Sequence, residues 1–239
     1  TRLLLMGEEV FLEAYLFISP KKIILSIFNE RSRENLFKNE IIIDNNINLI
    51  DQENLRLFLD KNIFEAEKLL KKFIKNIYLI IESDSFFYTS LSVKKNFQKS
   101  LLSKDKLIHL LNETKDICKN TLAEKKIIHM IIEKYILDNE YYYEIPQNKK
   151  FENISIEVKF ICISESMVNN LENILKQFHI SVKNIVSFNY LEKFLNDEKL
   201  DLFEMTKKIL EGYNKNEVLI VNKTNKNKGF FEKFFNLFG

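Results

Sequence analysis

The chain has 239 residues, 46% of them hydrophobic, and carries 36 basic against 34 acidic side chains. That length and apolar content can build one large domain or two small ones, and the near balance of charge argues against a nucleic-acid partner addressed through a global basic field. Four glycines and two cysteines exclude more: a phosphate cradle needs glycine so that backbone N–H groups can approach the anion, and Cys118 and Cys162, with no CxxC spacing, argue against a disulfide scaffold or a zinc site.

Taken in order, the start TRLLLMGEEVFLEAYLFI is broken by Glu8, Glu9 and Glu13, which argues against a signal peptide; it has no initiating Met, as a fragment would not. Residues 10–18 and 22–28 read as strands joined by a turn at Ser19-Pro20-Lys21, and 38–43 as a third strand. Asp44-Asn45-Asn46 marks a loop, and Asp51 is a candidate N-cap. Residues 52–74 have helical spacing, with a break expected near Lys61-Asn62. Residues 76–82 form a short apolar run of the buried-strand kind, and 86–93 a further strand. Ser103 opens a helix over 104–122 with Leu107, Leu110, Leu111 and Ile117 inward. Residues 126–137 read as a long strand, with a helix as the alternative on period alone. After an Asp138-Asn139 turn, 140–145 continues as a Tyr-rich strand, and Pro146-Gln147-Asn148 makes a loop. Residues 153–163 alternate, with Ile154, Ile156, Val158, Phe160 and Cys162 on one face, as in a half-buried strand. A helix over 167–178, capped by Ser164 or Ser166, a strand over 180–188, one or two helices over 190–212 and a short apolar strand at 217–221 follow. Strands alternating with single helices imply an α/β or α+β fold.

No GxGxxG, GxSxG, HExxH or EF-hand pattern occurs, nor GxxxxGK followed by Ser or Thr, so nucleotide hydrolysis and metal-dependent chemistry have no motif to rest on. His109, His129 and His179 are isolated in sequence, and His129, in an apolar strand, reads as a hydrogen-bonded core residue rather than a catalyst. Glu40 with Asp44, and Asp197 with Glu198, read as solvated loop charges rather than an acid/base pair. Tyr141-Tyr142-Tyr143 is either an exposed interaction strand or a strand with one face buried. No apolar run approaches the ~18 residues of a membrane span.

The end of the chain is the most specific feature. Residues 222–229 (NKTNKNKG) hold three lysines and no carboxylate, Lys226 and Lys228 among them, and GFFEKFFNLFG follows. Wound as a helix, Phe230, Phe231, Phe234, Phe235, Leu237 and Phe238 fill one arc, and Glu232, Lys233 and Asn236 the other. A basic tether before a short Phe-rich amphipathic helix holds a soluble domain on an anionic lipid surface, with Lys226, Lys228 and Lys233 at the headgroups. The alternative is a terminal helix packed on its own domain or in a partner's groove. Lys, Asn, Ile and Phe are abundant throughout, so lysine clusters alone carry little weight.

From about Phe17 to Phe188 the order of elements resembles the N-terminal half of FtsA, the actin-like bacterial cell-division family. The stretch from Ile127 to Val186 matches best, with Ile128, His129, Tyr135, Asp138, Pro146, Val158, Ile163, Asn170, Val182 and Ile185 in register. Ala66-Glu67 before the strand IYLIIES resembles the family's Ala-Glu, and LLSKDKLIHLL the helix start of its inserted SHS2-type, or 1C, subdomain. FtsA also ends in a basic linker and a membrane helix. The family's phosphate-contacting hairpin is Asp-Ile-Gly-Thr-Ser-Lys; here FISPKK puts Phe17 for the Asp and Ser19 for the Gly, and only Lys22 is kept. A second phosphate hairpin and the second lobe are not found after residue ~200.

The resemblance therefore implies an α/β (α+β) chain: a remnant of an actin-like, RNase H-like lobe (1–83 with 164–221), an SHS2-type α+β subdomain (84–163), a tether (222–229) and a membrane helix (230–239). It implies a non-enzymatic cell-division scaffold on the cytoplasmic face of the membrane at the division site. Cofactors are not expected. The expected partners are anionic lipids and cell-division proteins (FtsZ or later divisome components), with self-association left open and no nucleic acid; ATP binding and the usual FtsZ contact do not carry over. The alternatives are a divergent actin-like ATPase and a PilM-like adaptor of a type IV pilus or secretion machine.

Overall fold

The computed structural model describes residues 11–44, 49–146, 148–198 and 200–218. The tether and tail helix, with every residue assigned above to membrane contact, lie outside the described residues. The elements are β1 (Leu12–Ile18), β2 (Lys22–Asn29), β3 (Asn35–Ile42), α1 (Gln52–Leu70), β4 (Asn76–Ile81), β5 (Phe87–Leu101), α2 (Lys104–Thr121), β6 (Lys125–Leu137), β7 (Glu140–Tyr142), β8 (Lys150–Ser164), α3 (Glu165–Lys176), β9 (Ser181–Ser187), α4 (Phe188–Glu198) and α5 (Leu202–Leu210). They fall into two compact units, residues up to 84 with 169–203, and 85–168 with 204 onward.

The first unit holds a five-stranded sheet in the order β3-β2-β1-β4-β9. β1 and β2 are near-continuous apolar runs, and both are buried on both faces, as central strands must be. They pair antiparallel from Leu12 opposite Asn29 to Ile18 opposite Ile23. β4 lies parallel to β1, and β9 parallel to β4. Three antiparallel strands continued by two parallel ones in this order make a mixed α/β lobe of the RNase H-like, actin-like kind. An aromatic cluster fills one side: Tyr15 stacks on Tyr78 at 5.2 Å and meets Phe28 edge-on at 5.8 Å and Phe203 at 5.7 Å, geometries that favour ring quadrupoles.

Helix α1 lies against β2 and β3. The Asp51 carboxylate accepts the N–H groups of Glu53 and Asn54 at 3.0 Å each, which satisfies two of the helix's orphan donors. The break expected at Lys61-Asn62 does not occur. Asn62 is buried, its amide donates to the Phe58 carbonyl at 2.7 Å, and its carbonyl accepts from Asn39 of β3 at 2.5 Å. A residue that would otherwise compete with the backbone is thereby tied into the helix and the sheet together.

The second unit holds an antiparallel sheet in the order β5-β8-β6-β7. The alternation along β8 is realised: Ile154, Ile156, Val158, Phe160 and Cys162 are all buried. Ile156 stands opposite Val93 of β5 on one side and Tyr135 of β6 on the other. Leu107, Leu110 and Leu111 of α2 join this core, and α2 lies against β5, β6 and β8. Residues 126–137 are a strand, not a helix, because β8 supplies their ladder. Asp138 and Asn139, at φ 45° and 74°, make the two-residue turn into β7 that positive φ at both centres permits.

Three expectations shift, and one left open is decided. β5 runs on from residue 93 to Leu101, since β8 pairs with it as far as Lys150. β7 stops at Tyr142 rather than 145. Residues 190–212 form two helices. The last strand is described only at its start: Glu217 bridges to Ile131 of β6, with Val218 N–H donating to Met130 carbonyl at 2.8 Å and Ile132 N–H to Asn216 carbonyl at 2.9 Å. That bridge ties residues 216–218 to the second sheet, whereas the sequence reading gave them to the first lobe.

Ile156 is fully buried and Ile42 is 75% exposed. Ile156→Ala is expected to lower unfolding free energy by about 2–5 kcal/mol, and Ile42→Ala to change it by less than about 0.5 kcal/mol, as read by urea denaturation.

Candidate functional site

In an open sheet with parallel strands, ligands bind beyond the carboxyl ends of those strands. In the first unit that place is a cleft of about 380 Å³ at the ends of β1 and β4, lined by Phe17, Ser19, Pro20, Lys21, Lys22, Glu82, Ser83, Asp84 and Asn189. The β1–β2 turn forms one wall. Glu82 and Asp84, just after β4, form another, and Asn189 at the start of α4 completes it.

The turn is closed by a side chain. Ser19 Oγ accepts the N–H groups of Lys22 at 2.8 Å and Lys21 at 3.3 Å, and donates to the Lys22 carbonyl at 3.0 Å. Ser19 N–H donates to the same carbonyl at 2.8 Å. A phosphate-binding hairpin holds such N–H groups out to the anion; here they are taken up inside the turn. Phe17 is buried against Phe188, with ring centroids 5.3 Å apart, so no carboxylate stands where the resembled family carries its Asp. Lys22, the retained lysine, forms an ion pair with Glu40 at 3.0 Å.

The cleft carries two lysines, Lys21 and Lys22, against two carboxylates, Glu82 and Asp84. Burial holds the Glu82 carboxyl above the usual carboxylate range, the Glu192 and Asp84 carboxylates push it further up, and Lys21 opposes them. Sequence reading missed Glu82, Asp84, Glu192 and Asn189 as a group. The available clue was position, since Glu82 and Asp84 directly follow an apolar run that becomes a central parallel strand.

The other singled-out residues are dispersed. His129 is buried with Glu217, Nδ1 to Oε1 at 2.6 Å; its neighbour comes from 88 residues away, which no local pattern could announce. The His109 side chain is exposed and lies 3.8 Å from Glu113. His179 occupies the left-handed region at φ 59° in the turn after α3. Tyr142 leans on the core of the second unit, while Tyr141 and Tyr143 are exposed. Asp44 is exposed. Cys118 and Cys162 are free thiols inside the second unit; burial pushes both up, Cys162 to about 12, which leaves them unreactive as nucleophiles. Among the described residues, no group of three or more His, Cys, Asp or Glu side chains could hold a metal ion. No described helix is long and apolar enough to cross a membrane.

No family model matches the chain, and no curated protein matches it. Among solved structures it is similar to a PilM–PilN type IV pilus biogenesis complex (8% identity, TM-score 0.49, covering 81% of this chain and 52% of that one). It is also similar to the cytoplasmic domain of EpsL, an inner-membrane component of the type II secretion system of Vibrio cholerae (12% identity, TM-score 0.36, 75% and 57%). A third is a Bacteroides thetaiotaomicron protein with an actin-like ATPase fold and unknown function (14% identity, TM-score 0.37, 79% and 57%). The chain spans between half and three-fifths of each. These likenesses carry nothing about activity, and the lobe's fold rests on its strand order instead.

A carboxyl whose folded-state pKa is raised contributes fully below its unfolded value, and that contribution is lost as pH rises through the folded one. Glu82→Gln is therefore expected to be more stable than wild type at pH 7, by less than about 1 kcal/mol because the group is partly exposed. The difference should vanish towards about pH 4. Urea midpoints at the two pH values check the sign.

Proposed function

We propose that this chain is a non-enzymatic scaffold held on the cytoplasmic face of a membrane by its C-terminal helix, and that the machine it serves is the one its sequence resembles, that of cell division. The observation that carries the non-enzymatic part is the Ser19 hydroxyl in the β1–β2 turn, which takes the Lys21 and Lys22 N–H groups. The carboxylates of Glu82 and Asp84 in the same cleft offset its two lysines, which leaves no net positive charge to gather a polyphosphate. An actin-like lobe without a nucleotide site keeps its sheet as a rigid frame, and the inserted unit then offers a surface to partner proteins. Lys226, Lys228 and Lys233 with Phe230, Phe231, Phe234, Phe235, Leu237 and Phe238 supply the lipid contact; that part rests on the sequence pattern alone.

Two measurements test the reading. Isothermal titration with millimolar ATP and Mg²⁺ should give no heat of binding; a saturable signal would restore the ATPase alternative. Co-flotation with phosphatidylglycerol-rich vesicles should carry the intact chain to the top of the gradient and leave a Phe231→Glu/Phe235→Glu variant at the bottom. If depletion in cells leaves septation normal but abolishes piliation or secretion, the adaptor belongs to that other class of machine.

A further inference from the structure

The C-terminal end of α1 has a composition of its own. Residues 61–76 read KNIFEAEKLLKKFIKN, with five lysines against two carboxylates. Lysine is common throughout this chain, so the charge alone decides nothing. What sets the segment apart is that two large apolar side chains at its end stand out in solvent among the lysines: Leu69 is 65% exposed and Phe73 79%. Lys68, Lys71, Lys72 and Lys75 are all exposed beside them.

The display is built into the backbone. Lys71 ends α1 in the left-handed region at φ 53°, a conformation that costs about 1–2 kcal/mol for a residue with a Cβ. The Glu67 carboxylate then accepts the Ile74 N–H at 2.8 Å, and the Ile74 side chain is buried. Glu67 is thus turned back onto its own chain. With Ile74 pinned inward, its neighbours Phe73 and Lys75 face out. Leu69 and Phe73 are exposed at one end of the helix with Lys68, Lys71, Lys72 and Lys75 around them, and such a mixture fits a surface that is apolar below and anionic above.

We infer that this end of α1 is a second lipid-contact surface, which takes an anionic bilayer, inserting Phe73 and Leu69 at the acyl boundary while the lysines meet the headgroups. It deepens the membrane reading made above but uses different residues. Two weak contacts on one chain bind far more firmly than either alone, as a short tail helix requires.

The chain has no tryptophan, so a single Phe73→Trp substitution in the full chain reports on this site alone. With phosphatidylglycerol-rich vesicles its emission is expected to shift to the blue and to be quenched by brominated acyl chains, with no shift on vesicles of phosphatidylcholine only. Leu69→Gln/Phe73→Gln, at exposed positions that leave the fold intact by circular dichroism, should lower vesicle partitioning about tenfold. If the intact chain floats but the introduced tryptophan is unmoved and the Gln variant floats equally well, the inference is overturned and the tail anchor stands. If the chain floats on no vesicle, both readings fall. Emission that is already blue without lipid and reddens in the Phe231→Glu/Phe235→Glu background would make the tail helix the occupant, and an equal shift with RNA would make the site a polyanion groove; either result overturns the inference.

Discussion

Strand β4 must lie parallel between β1 and β9, and the architecture follows from that. A parallel neighbour cannot be reached by a tight turn; the chain has to leave one end of the sheet and re-enter at the other. Between β1 and β4 the excursion holds β2, β3 and α1. Between β4 and β9 it holds the entire second sheet and α3. Residues 85–168 of the second unit are thus an insertion in a crossover, and the first sheet closes only when that insertion has returned. Its own ladder is antiparallel throughout, although β5 must wait for β8, which follows after α2 and β6, to pair with it.

The same parallel pair explains why the cleft lies where it does. The carboxyl ends of β1 and β4 open side by side, so the turn after β1 and the residues after β4 face one space. In a glycine turn the main-chain N–H groups would be the most electropositive feature there. Substituting Ser19 supplies an internal acceptor for them, and Glu82 and Asp84 add negative charge opposite. The cleft thus sets a self-satisfied turn opposite two carboxylates.

Much of this was legible in the residues. The alternation from Ile154 to Cys162 fixed a strand with one buried face, Asp51 and Ser103 each marked a helix start, and Asp138-Asn139 marked a turn, because each of these is decided within a few residues. What was not legible depends on partners distant in sequence. Asn62 looked like a helix breaker until Asn39 of β3 supplied its hydrogen bond. The polar stretch from Lys94 to Leu101 carries no strand pattern of its own and is held extended by β8. Scarcity of glycine likewise misleads: Arg33, Lys71, Asp138, Asn139, Asn148 and His179 all occupy positive φ, so turns are written here in residues that seldom announce them. In the cleft, the Ser19-Pro20-Lys21 turn was readable, whereas the convergence of Glu192 on Glu82 needed the third dimension.

The bridge between Glu217 and Ile131 has a mechanical meaning. Whatever follows residue 218 departs from the edge of β6, so tension applied downstream is borne first by two main-chain hydrogen bonds, the buried His129–Glu217 pair and the seat of Val218 in the core. The short segment behaves as a strain relief, like the clamp where a cable enters a housing. A tug on the chain's end therefore loads the β6 strand of the inserted sheet first.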